Sequence, residues 1–141
     1  MGRRVSREKV MQLLYQMEIC KDSRELQTKE IIEDSNINDK EYISDLMEGV
    51  FKNLKYLDKL IAMYSKGWKI NRISKIDLSI LRLSIYEISF RSDIPFNVSI
   101  NEAVELAKKF SSQEAASFIN GILGKISTAR ILPSEANSTG D

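Results

Sequence analysis

Histidine is absent from the 141 residues. That removes Ser-His-Asp and Cys-His nucleophile pairs and nearly all zinc sites. Cysteine occurs once, at Cys20, so no disulfide can form within the chain, which fits a reducing, cytoplasmic setting. The six glycines are scattered and build no phosphate-cradling loop. No apolar run reaches the roughly 18 residues of a membrane span. The N-terminus, MGRRVSREK, leads into an amphipathic pattern containing acids rather than an apolar signal with a cleavage site. Charge of either sign is not in excess: the net is +1, so any nucleic-acid contact must come from local clustering. Twenty acids always offer some carboxylate pair, and such a pair alone is weak evidence. These absences argue against an enzyme. No catalytic residue, metal or cofactor is expected.

What is present is an ordinary soluble composition, 43% apolar and 29% charged, in a length that suits one domain. The stretch Ser74 to Arg91, SKIDLSILRLSIYEISFR, contains neither Gly nor Pro. Its apolar residues partly alternate, so a strand competes. At the helical step, however, Ile76, Ile80, Leu83 and Phe90 fall on one side, and Leu78, Leu81, Ile85 and Ile88 roughly opposite. The run also exceeds a typical strand of about 5–6 residues. A helix apolar on both sides is buried all round, so this stretch reads as the central helix of an all-α domain. Ser79, Ser84 and Ser89 would let neighbours come close. Arg82 and Glu87 are charges that must find partners, because an unpaired buried charge is very costly.

In chain order, Val10, Leu13, Leu14 and Met17 give a first helix to about Cys20, with Ser6 a candidate N-cap. Arg3, Arg4, Arg7 and Lys9 crowd its start, where the helix dipole is already positive. Two readings stand side by side: a phosphate site, or a solvated, frayed terminus. Leu26 to Asn36 reads as a short helix, and Asn38 or Asp39 as the cap of the next. Tyr42 to about Ser65 keeps helical spacing for long enough to predict a break, at Gly49 or near Asn53. Basic residues gather from Lys52 to Lys75, read as solvated faces. Lys66 to Asn71 is a turn, and Ile94 before Pro95 should be extended. Ser99 or Val98 begins a helix with Glu102 at capping-box spacing, which Ser111 and Ser112 end. The last helix follows, and Gly121 and Gly124 would permit close helix approach there. Residues 1–132 form the domain and 133–141 a disordered tail.

Three stretches together resemble the NusB family of bacterial transcription antitermination proteins: RRVSREKVMQLLYQME, IDLSILRLSIYEISFRSDIPFNVSINEAVELAKKF and FINGILGKI. Leu81, Arg82, Tyr86 and Glu87, then RSDIP (Arg91 to Pro95), INEAVELAK (Ile100 to Lys108) and FINGIL (Phe118 to Leu123), occur in the expected order. The resemblance implies about seven helices in two packed sub-bundles around the central apolar helix. It also implies a non-catalytic protein that binds boxA-type single-stranded RNA of ribosomal transcripts. The ribosomal protein NusE would bind jointly, and the pair would assemble on RNA polymerase.

Carried over by position, Arg3, Arg4 and Arg7 would contact RNA, and Phe118 would stack a base unless it is simply a core residue. Tyr15 and Asp77 match the partner-binding face, with Glu18 beside them, though either acid can be a plain surface charge. Asn71 stands where an acid can occur. Glu114 matches an acidic position affecting assembly. Arg82, Tyr86, Glu87, Asn101 and Glu102 resemble an active site but lack a nucleophile or metal set. They are expected to form a structural polar network joining the central helix to the loop before the next. Two other readings remain: a helical interaction module, possibly homodimeric, and an accessory domain for an rRNA-modifying enzyme.

Overall fold

A serine starts the element on which the rest is built. In the computed structural model, which describes residues 2–19, 40–66 and 69–129, the Ser74 hydroxyl accepts from the Asp77 amide at 3.2 Å. The Asp77 carboxylate, in the first turn, favours the positive end of the helix. Six α-helices follow one another among the described residues: α1 Gly2–Ile19, α2 Lys40–Lys52, α3 Leu54–Tyr64, α4 Lys75–Phe90, α5 Phe96–Phe110 and α6 Gln113–Ala129, with a 3-10 turn at Ile70–Arg72. The described part is all-α, as expected. The expected helix Leu26 to Asn36, the caps Asn38 and Asp39, and the tail 133–141 lie outside the described residues.

Helix α4 is the central one: it packs against each of the other five, and every residue from Leu78 to Ser89 is buried. Leu78, Ile80, Leu81, Leu83 and Ile85 are almost wholly removed from solvent, each stabilising by roughly 1.5–3 kcal/mol relative to exposure. The break between α2 and α3 falls at Asn53, whose backbone leaves the helical region (φ −110, ψ 22). Its side-chain amide donates to the Gly49 carbonyl at 2.8 Å.

Four local expectations fail. Helix α1 begins at Gly2, so Ser6 is an interior, fully buried residue and not a cap. Helix α5 begins at Phe96, with Pro95 extended at the cap position. Val98 and Ser99 donate backbone N–H bonds to the Pro95 carbonyl, so the capping box at Ser99 and Glu102 does not form. Both side chains are used elsewhere. Gly121 and Gly124 have open space where a Cβ would stand, so neither marks a close helix approach. The close approach is at Gly49 instead, where a Cβ would overlap the Tyr86 ring. Ser112 does cap α6, accepting from the Ala115 amide at 3.0 Å.

Candidate nucleic-acid interface

The arginines at the start of α1 divide by depth: Arg3 and Arg4, in the first turn, are exposed, and Arg7, one turn further in, is buried. Arg7 points inward, with a side chain 6% exposed beside Glu87 at 1%. Its Nε donates to Oε2 of Glu87 at 3.0 Å and to Oε1 at 3.2 Å, and its Nη2 donates to Oε1 at 3.1 Å. Ser99 donates to Oε1 at 2.8 Å, and the Tyr42 hydroxyl donates to Oε2. The Glu87 carboxylate is therefore fully surrounded by donors. Burial opposes the charge on Arg7, and the hydrogen bonds and charge of Glu87 more than offset it, so its pKa moves up. Burial, reinforced by the Glu87 carboxylate, pushes the Tyr42 hydroxyl far above the ordinary phenol range. Arg7 thus stands in the core and not with Arg3 and Arg4, because its position faces α4.

Arg3 and Arg4 lie on the outside. Arg4 makes a two-point contact with Glu102, 3.0 Å from Nε and 2.7 Å from Nη2, while its side chain stays 65% exposed. The hydrogen bond from Arg4 holds the Glu102 carboxyl below the usual range. Arg3 approaches Asp93 at 3.9 Å and covers the Tyr42 ring at 4.2 Å. Arg91 sits over the same ring at 5.3 Å and pairs with both Asp45 and Asp93 at 2.9 Å. The Arg91 hydrogen bond lowers the Asp93 carboxyl to about 2. Lys109 pairs with Glu8 at 2.7 Å, tying the same stretch of α1 to the end of α5. Chemically, this is a cationic helix start whose guanidinium groups stay in water beside carboxylates, Asp93 55% exposed and Glu102 16% exposed. An ion pair whose cation remains hydrated contributes little to stability, so offering that cation a phosphate costs little.

The expected single polar network is in fact several clusters. Arg82 binds Asp58 through two bonds of 2.9 Å and Glu18 at 2.8 Å, joining α4 to α3 and α1. Burial opposes its charge, and Asp58 and Glu18 outweigh the penalty. Tyr86 donates to Asp45 at 2.9 Å; burial and that carboxylate push its hydroxyl up to about 12. Glu87 belongs with Arg7, and Glu102 with Arg4. Asn101 is exposed. The five residues do not converge on the loop before α5, because successive turns of α4 face different helices.

On the expected partner face, Tyr15 and Asp77 are half-buried. Glu18 is committed to Arg82 and, at 3.5 Å, to Lys75. One Asp77 oxygen, Oδ1, is buried without a hydrogen-bond partner. Beside Glu18 and Arg82 lies a hollow of about 100 Å³ walled by Leu14, Met17, Val50, Phe51 and Leu54. Phe118 is half-buried on α6 and packs against the core, and Glu114 is exposed in the first turn of that helix. Neither joins the Arg3–Arg4 group through a contact described above.

Sequence reasoning missed Tyr42, Ser99, Asp58 and Asp45 as partners. Asp58 left a signal: it stands four residues after Leu54 and three before Ile61, a polar side chain on the buried stripe of α3. Tyr42 left none, since a tyrosine on an apolar stripe reads as core.

The model of the NusB family matches residues 4–128. The transcription antitermination protein NusB of Acetivibrio thermocellus is 57% identical over 143 aligned positions, covering 100% of this chain and 99% of that one. A solved structure of T. maritima NusB superposes with a TM-score of 0.86 at 36% identity and covers 98% of each chain. A crystal structure of antitermination factors NusB and NusE in complex with dsRNA gives a TM-score of 0.81 at 24% identity. It covers 90% of this chain and 96% of the other, and at that identity it speaks for the fold. No helix of the described residues is long and apolar enough to cross a membrane.

Proposed function

Because the chain belongs to the NusB family, we propose that it is a transcription antitermination factor that binds boxA-type single-stranded RNA. It does so together with the ribosomal protein NusE, and the complex joins RNA polymerase. The observation that carries this reading is the exposed pair Arg3 and Arg4 at the start of α1. Both are held by surface acids that a phosphate can replace. Guanidinium groups bind phosphate through two parallel bonds and stack on unpaired bases, and the helix start adds positive potential. Arg7, one turn further into the helix, is committed to Glu87 in the core and serves the fold.

For the partner, the start of α4 and the adjoining face of α1 supply Tyr15 and Asp77. Asp77 is half-buried at the start of α4, and its carboxylate suits a basic side chain of the partner. Glu18 holds Arg82 and Lys75 and shapes this face from behind. Glu114 and Phe118 occupy α6, and a base would stack on the half-buried Phe118 ring. Relatives bearing the name NusB are antitermination proteins rather than enzymes, and one of the same fold has been crystallised with NusE and dsRNA.

The test is fluorescence anisotropy of a boxA-like RNA against a scrambled control, with and without NusE. Tighter binding of boxA, strengthened by NusE, is the expected result. Equal, weak binding of both RNAs, indifferent to NusE, would instead favour a plain interaction module, which gel filtration would reveal as a dimer.

A further inference from the structure

Helix α4 is buried along almost its whole length, yet its last residue, Phe90, keeps 36% of its surface in water. The ring is nonetheless held firmly. It stacks on Tyr86 at 5.1 Å with planes 20° apart and stands T-shaped to Tyr56, ring centres 5.8 Å apart and planes at 79°. Tyr56 lies on α3 between Lys55 and Lys59, with Lys52 one turn earlier. Backbone bonds from Asn53 to Gly49 and from Leu57 to Asn53 carry the helical path across the break. All three lysines are exposed. None has an ion-pair partner among the described residues, while the acids nearest in sequence are engaged elsewhere: Asp58 with Arg82 and Asp45 with Arg91. Glu48, exposed one turn before Lys52, is the remaining acid there. In a chain of net charge +1, an unpartnered run of lysines beside a fixed, exposed ring is a local departure from balance.

We propose that the surface at the α2–α3 junction, Lys52, Lys55 and Lys59 with Phe90 as a stacking platform, is a second RNA contact that holds single-stranded RNA continuing beyond the α1 site. The chemistry is that of a sequence-tolerant single-strand groove, in which lysines follow the phosphates and an aromatic face receives a base. Rings pinned by aromatic neighbours lose little freedom when a base stacks. The two sites are also continuous: Phe90 is followed by Arg91, which shares Asp93 with Arg3. RNA bound at Arg3 therefore needs only to pass the α4–α5 loop to reach Phe90. An acidic protein surface is the rival occupant, but the continuity with Arg91 and Arg3 favours RNA.

This inference rests on the RNA reading above, and the experiment separates the two. Anisotropy would be measured with a boxA-type RNA and with the same RNA extended by about ten uridines on either side. The proteins are the wild type, Lys52→Gln/Lys55→Gln/Lys59→Gln, Phe90→Ala and Arg3→Ala/Arg4→Ala. Circular dichroism checks each fold. The lysine variant should bind the short RNA as the wild type does. On the extended RNA it should lose the added affinity, with the slope of log K against log salt weaker by roughly 2. Phe90→Ala should weaken extended-RNA binding about fivefold or more. Extended and short RNA binding alike to the wild type, or a lysine variant indistinguishable from it, would overturn the second site and leave the α1 site intact. A lysine variant that still binds extended RNA but loses a poly-glutamate peptide would overturn it in favour of an acidic protein. If Arg3→Ala/Arg4→Ala changes neither RNA, the primary reading fails.

Discussion

Arg4 and Arg7 are the same residue type one helical turn apart, and each makes a multi-point ion pair with a glutamate. Arg4 meets Glu102 with its own side chain in the open, and Arg7 holds Glu87 in the core. Their consequences are opposite. An exposed pair is nearly neutral for stability and leaves a cation available to an incoming phosphate. A buried pair contributes little relative to an apolar core but is very costly to break, because the survivor is left charged and dry. Depth along the helix, and not residue type, decides which arginine serves the fold and which serves a ligand.

The largest effect that follows is on Arg7. Arg7→Ala should strand Glu87 and cost about 3–5 kcal/mol, lowering the melting temperature by roughly 10–20 °C, as read by calorimetry. RNA binding would fall with it, but only in proportion to the unfolded fraction. A stable, folded Arg7→Ala protein that has lost RNA would break the comparison and return Arg7 to the binding surface. Arg82→Ala should act in the same way with a smaller loss of several degrees, because its partners Glu18 and Asp58 keep 19% and 26% of their side chains in water. They can rehydrate where Glu87 cannot.

The smallest effect concerns the outer pairs and acid. The carboxyls of Glu102 and Asp93 are depressed below their ordinary values, first by hydrogen bonds from Arg4 and Arg91 respectively. Their contribution is therefore complete above the unfolded carboxyl range and is lost as pH falls through the folded values, near 2 for Asp93. Side-chain carboxyl NMR should show Glu102 titrating low in the wild type and returning toward normal in Arg4→Ala, with Asp93 still low. An unchanged Glu102 would show that Arg4 does not hold it in solution.

How much of this was legible in the sequence follows the range of the interactions. Helix α4 could be read because its signal is local: a stretch without Gly or Pro whose apolar residues fall on two opposite sides of a helix. The need of Arg82 and Glu87 for partners was legible for the same reason. The partners were not, because Arg7 lies 80 residues from Glu87 and Tyr42 45 residues from it, and no local pattern marks such a meeting. The arginine-rich start showed its charge but not which residue would be buried. At α5 a local pattern misled: Ser99 and Glu102 have capping spacing, but Glu87 and Arg4 claimed them while Pro95 set the helix start. The glycines divided likewise. Gly49 is required by a ring from a distant helix, which sequence alone does not display.

The most direct test of the division along α1 is a salt series of RNA binding by Arg3→Ala/Arg4→Ala beside the wild type. The account predicts a melting temperature within about 2 °C of the wild type. It also predicts weaker boxA binding, with a slope of log K against log salt shallower by roughly 1.4, about 0.7 for each lost phosphate contact. An unchanged slope with unchanged affinity would contradict it and place the RNA elsewhere on the molecule.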